Sequence, residues 1–138
     1  MDKNDLIALA VNAMQTAYAP YSGFTVGAAL ETADGTVYTG CNIENASFTP
    51  TVCAERVAFF QAVRDGHRAF RQLAVAGGKG GLLTSFTPPC GVCRQVMREF
   101  CTDDFPVYLY DGETIRETTL GALLPLSFGP DNVGKQED

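Results

Sequence analysis

The most restrictive feature of the chain is a pair of strand-like runs, Val26–Thr32 and Val37–Cys41, set on either side of Asp34-Gly35. Asp-Gly between two such runs is a strong signal for an antiparallel hairpin, because few other residues accept the left-handed backbone of a tight turn. A hairpin needs apolar cover, and the sequence supplies helices for it. Ile7, Ala10, Val11, Met14 and Tyr18 recur at helical spacing over 3–18, ahead of the breakers Pro20 and Gly23. Residues 53–65 read as a second helix ended by Gly66. Residues 91–101 read as a third, with Cys93, Val96, Met97 and Phe100 on one face. Strands are expected at 71–76 and 107–110, with a further edge strand at 115–118 after the Asp111-Gly112 turn. A short helix over 119–124 should stop at Pro125, and 42–51 and 77–89 read as loops. This order predicts an α/β fold, a three-layer α-β-α sandwich around a mixed five-stranded sheet.

The length of 138 residues suits one domain, with neither an internal repeat nor a linker. No apolar run approaches the length of a membrane-spanning helix. The first five residues lack the basic and apolar parts of a secretion signal, so a cytoplasmic protein is expected. The acidic tail, ending Gln136-Glu137-Asp138, is expected to fray after about residue 131. A net charge of -6, with Lys and Arg scattered, disfavours nucleic acid and anionic membrane as partners and favours a small-molecule substrate.

Five cysteines, an odd count in a chain with no secretion signal, argue for metal or catalytic use of some of them. Two motifs stand out: Cys53-Ala54-Glu55 and Pro89-Cys90-Gly91-Val92-Cys93. Three thiolates can hold one tetrahedral Zn²⁺ and leave a fourth position open for water, the pattern of a catalytic site. Both motifs fall at expected helix starts, where free backbone N–H groups and the helix dipole favour thiolate over thiol. Glu55 lies two residues beyond Cys53, placed to act on the metal-activated water without being a ligand. That is the arrangement of zinc nucleobase deaminases, in which one carboxylate serves as base and then as acid. Zn²⁺ with three thiolates carries a formal charge of -1. Arg56, and less directly Arg94, follow the ligand positions and are candidates to compensate it.

Competing readings are a thioredoxin-like redox pair at Cys90 and Cys93, which needs neither Cys53 nor Glu55, and a non-catalytic zinc-binding domain, which needs a fourth protein ligand. The single histidine, His67, reads as a solvated turn residue, and Cys41 and Cys101 as small buried hydrophobes. Asn45-Ala46-Ser47 matches a glycosylation sequon without a secretion signal. Gly77-Gly78-Lys79-Gly80-Gly81 lacks the spacing of a phosphate-binding loop and reads as a mobile one.

From about Tyr18 to Pro130 the chain resembles the small, homotetrameric, zinc-dependent cytidine deaminases. The resemblance rests on Tyr21-Ser22-Gly23-Phe24-Thr25-Val26-Gly27-Ala28-Ala29-Leu30, Gly40-Cys41-Asn42-Ile43-Glu44-Asn45-Ala46, Cys53-Ala54-Glu55-Arg56, Pro89-Cys90-Gly91-Val92-Cys93-Arg94-Gln95 and Leu123-Leu124-Pro125-Leu126-Ser127-Phe128. It implies hydrolytic deamination of free cytidine and 2′-deoxycytidine, a step of pyrimidine salvage, with one zinc per chain. It implies that Asn42 and Glu44 grip the ribose 3′-hydroxyl, that Phe24 walls the nucleoside pocket, and that the backbone of Ala54 meets the pyrimidine amide edge. It implies that Phe128 stacks on the base in a neighbouring subunit's site. Phe48 stands where many relatives carry tyrosine, which removes one hydrogen bond near the ribose 5′ end. A same-fold deaminase of an aminopyrimidine nucleoside antibiotic is the nearest alternative.

Overall fold

The computed structural model describes residues 1–135. The tail positions Gln136–Asp138 lie outside the described residues. Helix α1 (Lys3–Ala13) leads through a 3₁₀ turn over 14–16 into the hairpin of β1 (Phe24–Thr32) and β2 (Val37–Cys41). Then follow α2 (Ala54–Arg64), β3 (Phe70–Lys79), α3 (Gly91–Phe100), β4 (Pro106–Tyr110), β5 (Ile115–Thr119), α4 (Leu120–Leu123) and α5 (Pro130–Val133). The five strands form one sheet in the order β2-β1-β3-β4-β5. Only the β3–β4 pair is parallel, so the sheet is mixed as expected.

Helices cover both faces. Leu6, Ile7 and Ala10 of α1 pack on Ala29 and Ala74 on one side. Ala58 and Phe59 of α2 and Met97 of α3 pack on Ala28, Leu30, Leu73 and Val75 on the other. Adjacent residues of β1 and β3 therefore serve opposite cores, and both strands are buried on both faces, which suits their runs of small and apolar residues. Glycine marks the closest approaches. A Cβ on Gly27 would lie 1.9 Å from Ala10 O in α1, and one on Gly40 would lie 2.2 Å from Ala54 O in α2.

Three elements differ from the sequence expectation. The first helix stops at Ala13 rather than at 18, because Tyr18 is needed elsewhere. Its N–H donates to Asn42 O (2.9 Å) and its carbonyl accepts from Glu44 N (2.8 Å). The strand expected to end at 76 continues to Lys79 and pairs Gly77, Gly78 and Lys79 with Val26, Thr25 and Phe24. A Cβ on Gly78 would meet Leu82 O at 1.7 Å, so Gly77 and Gly78 serve close packing in the strand, while Gly80 and Gly81 take the left-handed backbone of the turn that follows. Helix α5 was not foreseen.

Topology places the functional residues. Strands β2 and β3 are both antiparallel to β1, so they run parallel to each other, and their C-terminal ends share one edge of the sheet. The helix that follows each strand begins at that edge. Cys53 and Cys90 are the N-cap residues of these two helices. Ligands in open α/β sheets collect at this edge.

Candidate metal centre and active site

The Sγ atoms of Cys53, Cys90 and Cys93 all lie within 4.8 Å of one another. Cys53 Sγ is 3.6 Å from Cys90 Sγ, and all five cysteines are free thiols. A three-sulfur cluster drawn from two helices is not the geometry of a lone Cys-x-x-Cys redox pair. Cys93 is buried in the first turn of α3, Cys53 is half-buried and Cys90 is exposed. Neither N-cap cysteine makes a side-chain capping hydrogen bond, which leaves both sulfurs free to face each other.

Arg56 Nη2 donates to Cys53 Sγ at 3.4 Å. The Cys53 thiol is pulled down to about 5, chiefly by the hydrogen bond from Cys93 and further by Arg56, against the opposing effect of burial. Cys93, which donates in that bond and so holds its proton, is pushed up in turn, with burial adding to the effect. Burial weakens the Arg56 charge, but its bonds to Cys53 and Cys93 outweigh this and hold the guanidinium protonated. Arg56 Nε is buried with no hydrogen-bond partner. An unmet donor beside three sulfurs suits a cluster that gains negative charge when a soft cation displaces the thiol protons. The donor set therefore fits zinc.

Glu55 is 3% exposed, and burial raises its carboxyl to about 7. The coulombic effect of Cys53 raises it further, while its own backbone N–H, Arg56 and Cys93 act the other way. A carboxyl poised near neutrality can both accept and release a proton.

Arg94 does not share the role of Arg56. Its Nε donates to Pro89 O at 2.7 Å and its Nη1 to Leu123 O at 2.6 Å. It is a clamp between the loop before α3 and the end of α4, because carbonyls rather than sulfurs lie within its reach. His67 is less solvated than a turn residue would be, with its side chain 21% exposed. Its ring sits edge-on to Tyr38 at 5.5 Å. Cys101 is buried, whereas Cys41 is half-buried and donates to Thr16 O at 3.4 Å.

The segment Asn42–Glu44 lies between Tyr18 and Val52, held by the single-residue bridges Tyr18–Ile43 and Ile43–Val52. Val52 precedes Cys53, so this segment is held beside the sulfur cluster. Asn42 and Glu44 flank Ile43 and so point the same way. Asn42 Oδ1 accepts from Val26 N and its Nδ2 donates to Phe24 O, each at 2.8 Å, so the amide acts as an extra rung on β1. The Glu44 carboxylate accepts from Tyr21 N (2.9 Å), Ser22 N (3.1 Å) and Ser22 Oγ, which lowers its pKa, the Ser22 hydroxyl contributing most. Tyr21 and Ser22 are thus partners that motif reading did not single out. They open the first motif string quoted above, but nothing in that string assigns them a role. Phe24 opens β1 and is 37% exposed. Ala54 is fully buried as the first residue of α2. Phe48 is 78% exposed and packs edge-on to Tyr21 at 6.4 Å. Both border a concavity of about 280 Å³ that also touches Ser22, Glu44 and Thr51. Asn45 Oδ1 accepts from Ser47 N at 2.9 Å, an Asx turn that explains this tripeptide without a sugar. Phe128 follows α4 in the chain and is 65% exposed.

A family model described as the cytidine and deoxycytidylate deaminase zinc-binding region matches residues 1–109. The chain belongs to this deaminase family. Among curated relatives of the deaminases, a cytidine deaminase from Sporosarcina psychrophila is 50% identical over 134 residues, covering 96% of each chain. Among solved structures, the cytidine deaminase from Burkholderia pseudomallei superposes with a TM-score of 0.86 at 45% identity, covering 93% of this chain and all of that one. A blasticidin-S deaminase from Bacillus cereus is more distant, 29% identical over 107 residues, or 75% of this chain and 76% of that protein. Zinc is the metal of the family, and the cysteine cluster is where this chain can hold it. Among the described residues no helix is long and apolar enough to cross a membrane.

Proposed function

We propose that this deaminase hydrolyses free cytidine and 2′-deoxycytidine to the uridine forms with release of ammonia, in the cytoplasm, as a homotetramer. The observation that carries the reading is the three-sulfur cluster at two helix N-termini with the buried carboxyl of Glu55 beside it. Cys53, Cys90 and Cys93 would hold one zinc ion, which supplies Lewis acidity for activating water. Glu55 takes the proton of the attacking water and delivers it to ring N3, so that C4 becomes electrophilic. A C4–O bond forms. Glu55 then takes the proton of the new C4 hydroxyl and passes it to the exocyclic amine; the C4–O bond becomes the carbonyl as the C4–N bond breaks, and ammonia leaves. Asn42 and Glu44, already ordered by β1 and by the Tyr21-Ser22 turn, retain lone pairs and one amide hydrogen for the ribose 3′-hydroxyl. Phe24 and the backbone of Ala54 border the base. Phe128, exposed in the single chain, would cover the base in the site of a neighbouring copy. The net charge of -6 fits an uncharged nucleoside rather than a polynucleotide.

Ultraviolet loss of cytidine, measured with and without a zinc chelator and alongside metal analysis, tests the proposal. Glu55→Gln should keep about one zinc per chain while turnover falls by ~10²–10⁴-fold or more. Undiminished turnover in that variant, or chelator-insensitive activity, would reject the mechanism. Faster turnover of an aminopyrimidine nucleoside antibiotic than of cytidine would reject the substrate.

A further inference from the structure

The polar face of α3 carries Arg94, Gln95, Arg98 and Glu99, opposite the face that buries Cys93 and Met97. All four reach the C-terminal segment of the chain. Besides the bond from Arg94 to Leu123 O, Gln95 Nε2 donates to Phe128 O (2.9 Å) and Arg98 Nε to Ser127 Oγ (3.0 Å). Arg98 Nη2 also lies 3.6 Å from Asp131 Oδ2, and Glu99 lies 3.6 Å from Lys135 Nζ. Gly129 belongs to the same fit, since a Cβ there would lie 2.9 Å from Arg98 Cζ. Between the anchors at Leu123 and Ser127 the backbone is strained, with Leu126 at φ 49°. A non-glycine residue stays in that region only where its surroundings over-determine it. The strap is thus fastened along its backbone while its two large apolar side chains, Leu126 and Phe128, project from it.

We infer that Gln95 and Arg98 are positioning residues for the deamination. They hold Phe128 in a preset pose from which it closes the nucleoside site of a second copy of this chain. The inference rests on the reading of Phe128 given above. A fastened strap loses little freedom when Phe128 meets the base, whereas a loosened strap must be ordered at each binding event. Ordering one side chain weakens binding by about 2- to 13-fold. Because α3 also carries Cys90 and Cys93, one helix sets both the metal ligands of its own site and the aromatic cover of another.

The test is steady-state kinetics on the zinc-loaded full chain for Gln95→Met, Arg98→Met, Phe128→Ala and the double variant Arg98→Met/Phe128→Ala, with zinc content and oligomer mass recorded. Gln95→Met and Arg98→Met should each raise KM for cytidine by about 2- to 13-fold, with a smaller change in kcat and unchanged zinc. Arg98→Lys, which keeps the charge but loses the forked donor, should fall between. Phe128→Ala should raise KM at least as much, and adding Arg98→Met to it should raise KM no further, since no pose is left to hold. Additive effects in the double variant would overturn the inference. So would a normal KM for Arg98→Met when Phe128→Ala is impaired. A normal KM for Phe128→Ala would overturn the reading of Phe128, and the inference with it. Should Arg98→Met fail to fold, Ser127→Ala removes the same bond without altering α3 and must show the same non-additivity with Phe128→Ala.

Discussion

Gly40→Ala tests whether helix placement, and not the motif residues alone, sets the chemistry. The added Cβ would lie 2.2 Å from Ala54 O and 2.8 Å from Ala58 N. These two atoms are four residues apart, one rung inside the opening Val57 N–Cys53 O hydrogen bond of α2, so the methyl would press on the turn that carries Glu55 and follows Cys53. Opening the closer contact even to 3.0 Å requires a shift of about 0.8 Å. Overpacking of this kind costs about 1–3 kcal/mol. For a chain of this length that lowers Tm by about 3–10 °C. A displacement near 1 Å at the reacting groups can reduce turnover by about 10²-fold. Gly27→Ala is the matched control. Its Cβ would lie 1.9 Å from Ala10 O and 2.7 Å from Met14 N, an equally severe clash, but with the helix on the other face of the sheet. The assay is Tm, zinc content and kcat per folded chain for both variants. Both should lose stability, and Gly40→Ala alone should lose roughly two orders of magnitude in kcat. If kcat falls equally in both, or in neither, α2 placement is not what the glycine protects.

Arg56→Gln should weaken zinc binding by about 10–100-fold, read by competition with a chromophoric chelator, because Cys53 loses its cationic partner. Arg94→Gln should leave zinc affinity near wild type and lower stability by about 1–3 kcal/mol, since it strips donors from Pro89 O and Leu123 O. A reversal of these two outcomes would refute the assignment. Hydrogen bonds from Thr32 and Thr36 bring the Asp34 carboxyl down to about 2 from its ordinary 3.8. With the folded value the lower one, its stabilisation of the hairpin is complete above pH ~4 and is lost as pH falls toward 2. Asp34→Asn should therefore flatten the fall in Tm across that interval, and an unchanged acid limb would show that the turn does not depend on this charge.

Much of the site was legible because its signals are local. A helix start, a thiol and a carboxyl two residues away need only a short stretch of sequence, and so does Asp-Gly between strands. What could not be read depends on distant backbone. Gly77 and Gly78 look like a loop until β1 is laid beside them and Leu82 O is found where the Gly78 side chain would go. Arg56 and Arg94 both follow ligand cysteines closely, three residues after Cys53 and one after Cys93, yet only the fold shows that carbonyls from the loop before α3 and the end of α4 bind Arg94. Asn42 and Glu44 carry no periodic signal, since their order comes from single-residue bridges to Tyr18 and Val52. The polar face of α3 reads as ordinary solvated surface until the C-terminal strap is seen lying on it.

The two helices that meet at the sulfurs begin without the hydroxyl or carboxylate plugs that usually seal such openings, because cysteine occupies both positions. Each missing plug forgoes about 1 kcal/mol. An ion gripping sulfur from both openings would act as a rivet between segments 37 residues apart along the chain. Stripping it should therefore do more than silence turnover. The first turns of α2 and α3 should unravel ahead of the rest, and amide exchange at residues 54–57 and 91–94 should quicken while β1 and β3 stay protected.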